Sequence, residues 1–107
     1  MSDAQTLLDA VERLADHFRA MPQSRLLGAV PGYPSRAAAG LALARRLAAF
    51  ALELEGEPLR EVPDAGAFAV GDQIAVAGHD LAAAATDHPD TLAAATADTR
   101  ETAALTA

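Results

Sequence analysis

The sequence predicts an all-α domain, an antiparallel bundle of four helices, and three observations carry that expectation. Of the 107 residues 29 are Ala, the best helix former and a poor strand former, while Val and Ile together number only six. Apolar side chains recur at alternating spacings of three and four residues, which lays one stripe along a helix. Ser, Gly and Pro stand where such stripes begin and end.

The first helix is expected over residues 3–20, with Leu7, Val11, Leu14 and Phe18 on its stripe and Ser2 or Asp3 as its cap. Three Pro and two Gly in MPQSRLLGAVPGYPS then break the chain, and Leu26, Leu27, Val30 and Tyr33 make that connector one that packs down. A second helix, 35–55, starts at a Ser35 cap, stops at Gly56 and repeats the pattern through Gly40, Leu43, Leu47, Phe50 and Leu54. Asp64 is expected to cap a third helix over 65–86, whose stripe is Val70, Ile74, Ala77 and Leu81. Ala69, Val76 and Ala82 occupy its opposite side, so this helix is expected to be covered on several sides and to be the most buried. A fourth helix, 91–106, starts after His88-Pro89-Asp90 and has only Leu92 and Leu105 as large apolar residues. Residues 1–107 read as one domain, with a thin core drawn from the 26 apolar side chains larger than Ala.

Composition excludes several classes of function. Without Cys there is no disulfide framework, thiol nucleophile or Cys-ligated metal. The most apolar window, 65–86, contains Asp72, Gln73, His79 and Asp80, which excludes a membrane span there. Acidic residues stand near the start where a signal peptide carries basic ones, so a cytoplasmic protein is expected. All eight cations are Arg, with neither Lys nor Asn, a usage expected of a GC-rich, actinomycete-like genome.

The net charge of −7 is unevenly placed. Between His17 and Leu52 no acid occurs, while Arg19, Arg25, Arg36, Arg45 and Arg46 do. Overall acidity makes nucleic acid an improbable partner. The basic stretch is expected mainly to pair with acids of the same chain. If the loop before the third helix folds it back beside the second, Arg45 and Arg46 face Asp72 as a partly buried structural ion pair, and Gly40 faces His79.

No cluster carries catalytic chemistry. Asp72 and His79 are seven residues apart on one helix, about 10 Å, too far for joint chelation. His79 is expected to be a partly buried histidine bonded to a loop. Asp9, Glu12 and Asp16 make a carboxylate row such as di-iron bundles use, but matching ligands on other helices are missing, so a solvated face with an Asp9–Arg13 pair is the better account. Asp87-His88-Pro89-Asp90 reads as helix-stop and helix-cap chemistry, and no nucleophile elbow or phosphate loop surrounds Ser2, Ser24 or Ser35. Tyr33 is expected to close an end of the bundle.

The leading expectation is therefore a non-enzymatic interaction or regulatory module that presents a helix face to a protein partner or to itself, as a homodimer, with no catalytic residue, metal or cofactor. Self-association follows from the tail helix, whose few large residues make it a poor cover for the third helix. The first alternative is a small-ligand or anion-binding bundle, which Tyr33, Arg36, Arg45, Arg46 and His79 would line. A small enzyme of unspecified reaction is the second alternative.

Overall fold

The computed structural model describes residues 2–107. Helices take up 72% of the chain and no strand forms among the described residues, so the all-α class holds. Helix α1 (Asp3–Arg19) is capped by Ser2, whose Oγ accepts from the Gln5 N–H at 3.1 Å. A single turn, α2 (Gln23–Leu26), sits in the Pro-rich connector. Helix α3 (Arg36–Glu55) is capped by Ser35 Oγ, which accepts from the Ala38 N–H at 2.9 Å. Its C-terminus closes on Gly56 at φ +67°, and the Glu57 N–H donates to the Leu52 carbonyl at 2.9 Å, the double closure that glycine's freedom at positive φ permits.

The third long helix starts later than the sequence suggests. Asp64 Oδ1 accepts from the Gly66 N–H at 2.9 Å and so caps a turn, not the helix; a 3-10 turn at Ala67–Ala69 then leads into α4 (Val70–Ala84). Helix α5 (Pro89–Leu105) begins with Pro in its first turn, and its N-cap position is His88, with no side-chain cap from Asp90.

The helices form a bundle in which α4 is central, packed on one side by α1 and on the other by α3. Leu7 and Leu14 of α1, Leu43 and Leu47 of α3, Ile74 and Leu81 of α4 and Leu92 of α5 are fully buried in one core. Close packing of α1 on α4 depends on small residues. A Cβ on Gly78 would fall 2.5 Å from Val11 Cγ1, so only glycine admits this separation.

The expected register of the second and third helices is corrected. Gly40 abuts Val70 and Phe18, not His79, and the far ends of α3 and α4 meet where Leu52 and Glu55 share a cavity with Ala83 and Ala84. The two helices therefore run in the same direction. The segment between them makes this possible: it leaves α3 at Gly56, returns along the helix and is held by Arg45 Nε, which donates to the Val62 carbonyl at 3.0 Å, and by Gln73 Nε2, which donates to the Pro63 carbonyl at 2.8 Å. Ten extended residues reach roughly 33 Å, enough to retrace a 20-residue helix of about 30 Å.

Helix α5 packs on α1 and α3, not on α4. It buries threonines as well as Leu92 and Ala95, and the hydroxyls of Thr96 and Thr99 each turn back onto the carbonyl four residues earlier at 2.8 Å. Those bonds satisfy the hydroxyls and leave the methyl groups to pack.

Candidate functional site

Arg19, Arg36, Arg45 and Arg46 of the basic stretch bond groups of the same chain, and the partners are other than the one expected. Arg46 of α3 grips Asp98 of α5 with two 2.8 Å hydrogen bonds and places Nη1 3.5 Å from the Tyr33 hydroxyl. Asp98, and to a smaller extent Tyr33, keep that guanidinium protonated well above its ordinary range, against the opposing effect of partial burial. Arg45 lies 3.6 Å from Glu61 and holds the Val62 carbonyl. Asp72 pairs with neither: its Oδ1 accepts from Arg19 Nε at 2.9 Å, and Arg19 also reaches Asp16 at 3.0 Å. Those bonds, Asp72 first, raise the Arg19 pKa. The expected Arg45/Arg46–Asp72 pair fails because the returning segment of residues 57–66 occupies the space over Arg45, and the parallel run of α4 carries Asp72 to the α1 side.

The other ligand candidates also bond within the chain, although the buried Nε of Arg36 has no partner. Arg36 donates through Nη1 to the Arg25 carbonyl at 3.3 Å, and its backbone N–H donates to Gly28 O, so the start of α3 is closed by its own loop. His79 is exposed and bonds Glu12 across the α1/α4 seam, not a loop. Asp9 accepts from Gln5 at 2.8 Å in place of the expected Arg13. Tyr33, Arg36, Arg45, Arg46 and His79 line none of the four principal cavities. Among the described residues no group of three or more His, Asp or Glu could hold a metal ion, and no helix is long and apolar enough to cross a membrane.

A different surface stands out. Because α5 turns to α1 and α3, the outer side of α4 is left open. Phe68 and Val76 are 70% and 63% exposed, although large apolar residues of a small domain are mostly inside. Asp72, Val76 and Asp80 follow one another at four-residue steps along α4 and form a ridge with one apolar side chain between two acidic ones, and Phe68 is exposed on the 3-10 turn that leads into it. Beside the ridge lies a groove of about 310 Å³, floored by Ala48, Val62, Ala69 and Ala77. It continues into a second depression of about 730 Å³ toward Leu52 and Glu55, the two sharing Ala48, Val62 and Asp80. Leu59 is exposed on the returning segment that borders this face.

Sequence reasoning assigned Val76 to a covered side of its helix and did not single out Phe68. The usable signal was the apolar excess of this helix set against a tail too poor in large residues to cover it. Comparison of the chain with protein-family models, with curated proteins and with solved structures finds no match.

Proposed function

We propose that this chain is a non-enzymatic interaction module, acting in the cytoplasm, that docks a protein partner on the outer face of α4. One observation carries the reading: Val76 exposed on a ridge beside an apolar groove and Phe68 exposed on the turn leading into that ridge, in a domain whose other large apolar side chains are mostly buried. Asp80 on the ridge and Glu55 at the groove's far wall are the acids of this face without an arginine partner, since Asp72 and Glu61 already pair with Arg19 and Arg45. The partner this fits is an amphipathic helix or strand with an apolar ridge and flanking Arg or Lys. A second copy of the chain fits less well, since a two-fold contact would set Asp72 and Asp80 against their own kind.

The experiment is a quantitative capture from the native host with three baits: the chain itself, Phe68→Ser and Val76→Asp. The reading expects a protein retained by the first bait, lost from both variants while both stay folded, and released as salt is raised. Identical captures by all three overturn it. Sedimentation of the chain as a dimer that Val76→Asp makes monomeric assigns the face to self-association instead.

A further inference from the structure

Helices α1 and α5 do not close on each other completely. They leave a groove of about 510 Å³ on the side of the molecule away from the α4 ridge, within the size range of small-molecule pockets. Its floor is Ala10, Leu14, Thr99 and Ala103, and the alanines leave the space between the walls unfilled. The floor offers no hydrogen bond donor, because the Thr99 hydroxyl is committed to the Ala95 carbonyl.

The lips are charged. Arg13 on α1 and Arg100 on α5 both line the groove, and among the described residues neither lies within 4 Å of a carboxylate or donates a hydrogen bond. Of the eight arginines Arg19, Arg45 and Arg46 find carboxylates, and what sets Arg13 and Arg100 apart from the other three is that they stand on the two lips of one groove. The one acidic side chain of the groove, Asp9, is already bonded to Gln5, His17 is bonded to the Thr106 carbonyl, and Ala107 lines the same end. Thr6 beside Thr96 and His17 beside Thr106 show α1 and α5 running in parallel, a register that puts Arg13 and Arg100 about one helical turn apart on opposite lips.

We infer that the α1/α5 groove is a binding site for a small organic carboxylate with an apolar body. The apolar portion lies on Ala10, Leu14 and Ala103, and the carboxylate is gripped between the Arg13 and Arg100 guanidiniums, whose planar forks match its two oxygens. Both arginines are exposed and make no bond that the fold uses, so they can be replaced without unfolding the chain.

The probe pair is 1-naphthylacetate and its uncharged counterpart 1-naphthylacetamide, titrated into the isotopically labelled full chain and followed by amide shifts. Saturable one-to-one binding of the carboxylate is expected, with shifts at Ala10, Thr99 and Ala103, and with the amide weaker. The Arg13→Gln/Arg100→Gln double variant should weaken the carboxylate about tenfold and leave the amide unchanged, a loss of about 1.4 kcal/mol. Ala103→Phe, which fills the floor, should abolish both. Absence of saturable shifts, equal carboxylate affinity in the double variant, or shifts centred on Val76 would overturn the site. Val76→Asp should leave probe binding untouched, so the outcome is independent of the partner face.

Discussion

Arg46 in the middle of α3 binds Asp98 of α5 through two parallel hydrogen bonds of 2.8 Å, Nε to Oδ2 and Nη2 to Oδ1. This is the one two-pronged ion pair in the described chain, and it links the tail helix to the body of the bundle. The Asp98 side chain is 21% exposed, against 73% for Asp72. Asp98→Ala should therefore cost about 2 kcal/mol, between the values for exposed and buried pairs, because it strands a half-buried guanidinium. Asp72→Ala should cost clearly less, because the Arg19 guanidinium it leaves behind is exposed to water. Thermal melts of the two variants check the order, and an Asp72→Ala midpoint as low as that of Asp98→Ala would show that the Arg19 pair matters more than its exposure allows.

The α1/α4 seam gives a second expectation. Ala at an ordinary helix position is about 1 kcal/mol better than Gly. At Gly78 the added Cβ meets Val11, and overpacking of this kind costs about 1–3 kcal/mol. Gly78→Ala should thus destabilise the chain in denaturant titrations, and Val11→Ala in the same molecule should recover part of the loss. Strict additivity of the two changes would separate the glycine from the valine.

Replacing the exposed ridge should leave the fold intact. Phe68→Ser removes a side chain that contributes little buried area and should stay within about 0.5 kcal/mol of the parent, while Val76→Asp, four residues from both Asp72 and Asp80, should cost up to about 1 kcal/mol and leave the chain folded. A collapse of either variant would place these residues in the core and remove the α4 face as a docking surface.

Local stability should follow the packing. The returning segment lacks a backbone ladder and is largely exposed from Glu57 to Gly66, so its amides should exchange first with solvent deuterium. Helix α5, held by Arg46–Asp98 and by its own stripe of buried threonines, should open next, and α3 last. Exchange of α5 together with α3 would mean that the tail belongs to the same cooperative unit.

What could be read from the residues alone was local. Ser2 and Ser35 cap helices because a hydroxyl beside free N–H groups accepts from them, and Gly56 ends α3 because it tolerates positive φ. The buried stripe of Leu7, Val11, Leu14 and Phe18, and the core positions Leu43, Leu47, Ile74 and Leu81, follow from helical spacing. Chain length, acidity and the absence of Cys are likewise sequence properties. They limit chemistry without choosing a ligand or partner.

Tertiary structure decided the rest, because nothing local fixes the path of residues 57–66. A tight loop would have turned α4 back against α3 and brought Asp72 to Arg45 and Arg46. The extended return sends α4 in the same direction as α3, gives Asp72 to Arg19, Asp98 to Arg46 and Glu61 to Arg45. The same path leaves Val76 and Phe68 uncovered, since α5 is drawn to α1 and α3. Arg13 and Arg100 show the limit most plainly: 87 positions apart, they share one groove only because α1 and α5 pack in parallel, and pairwise spacing along a chain holds no record of which helices become neighbours.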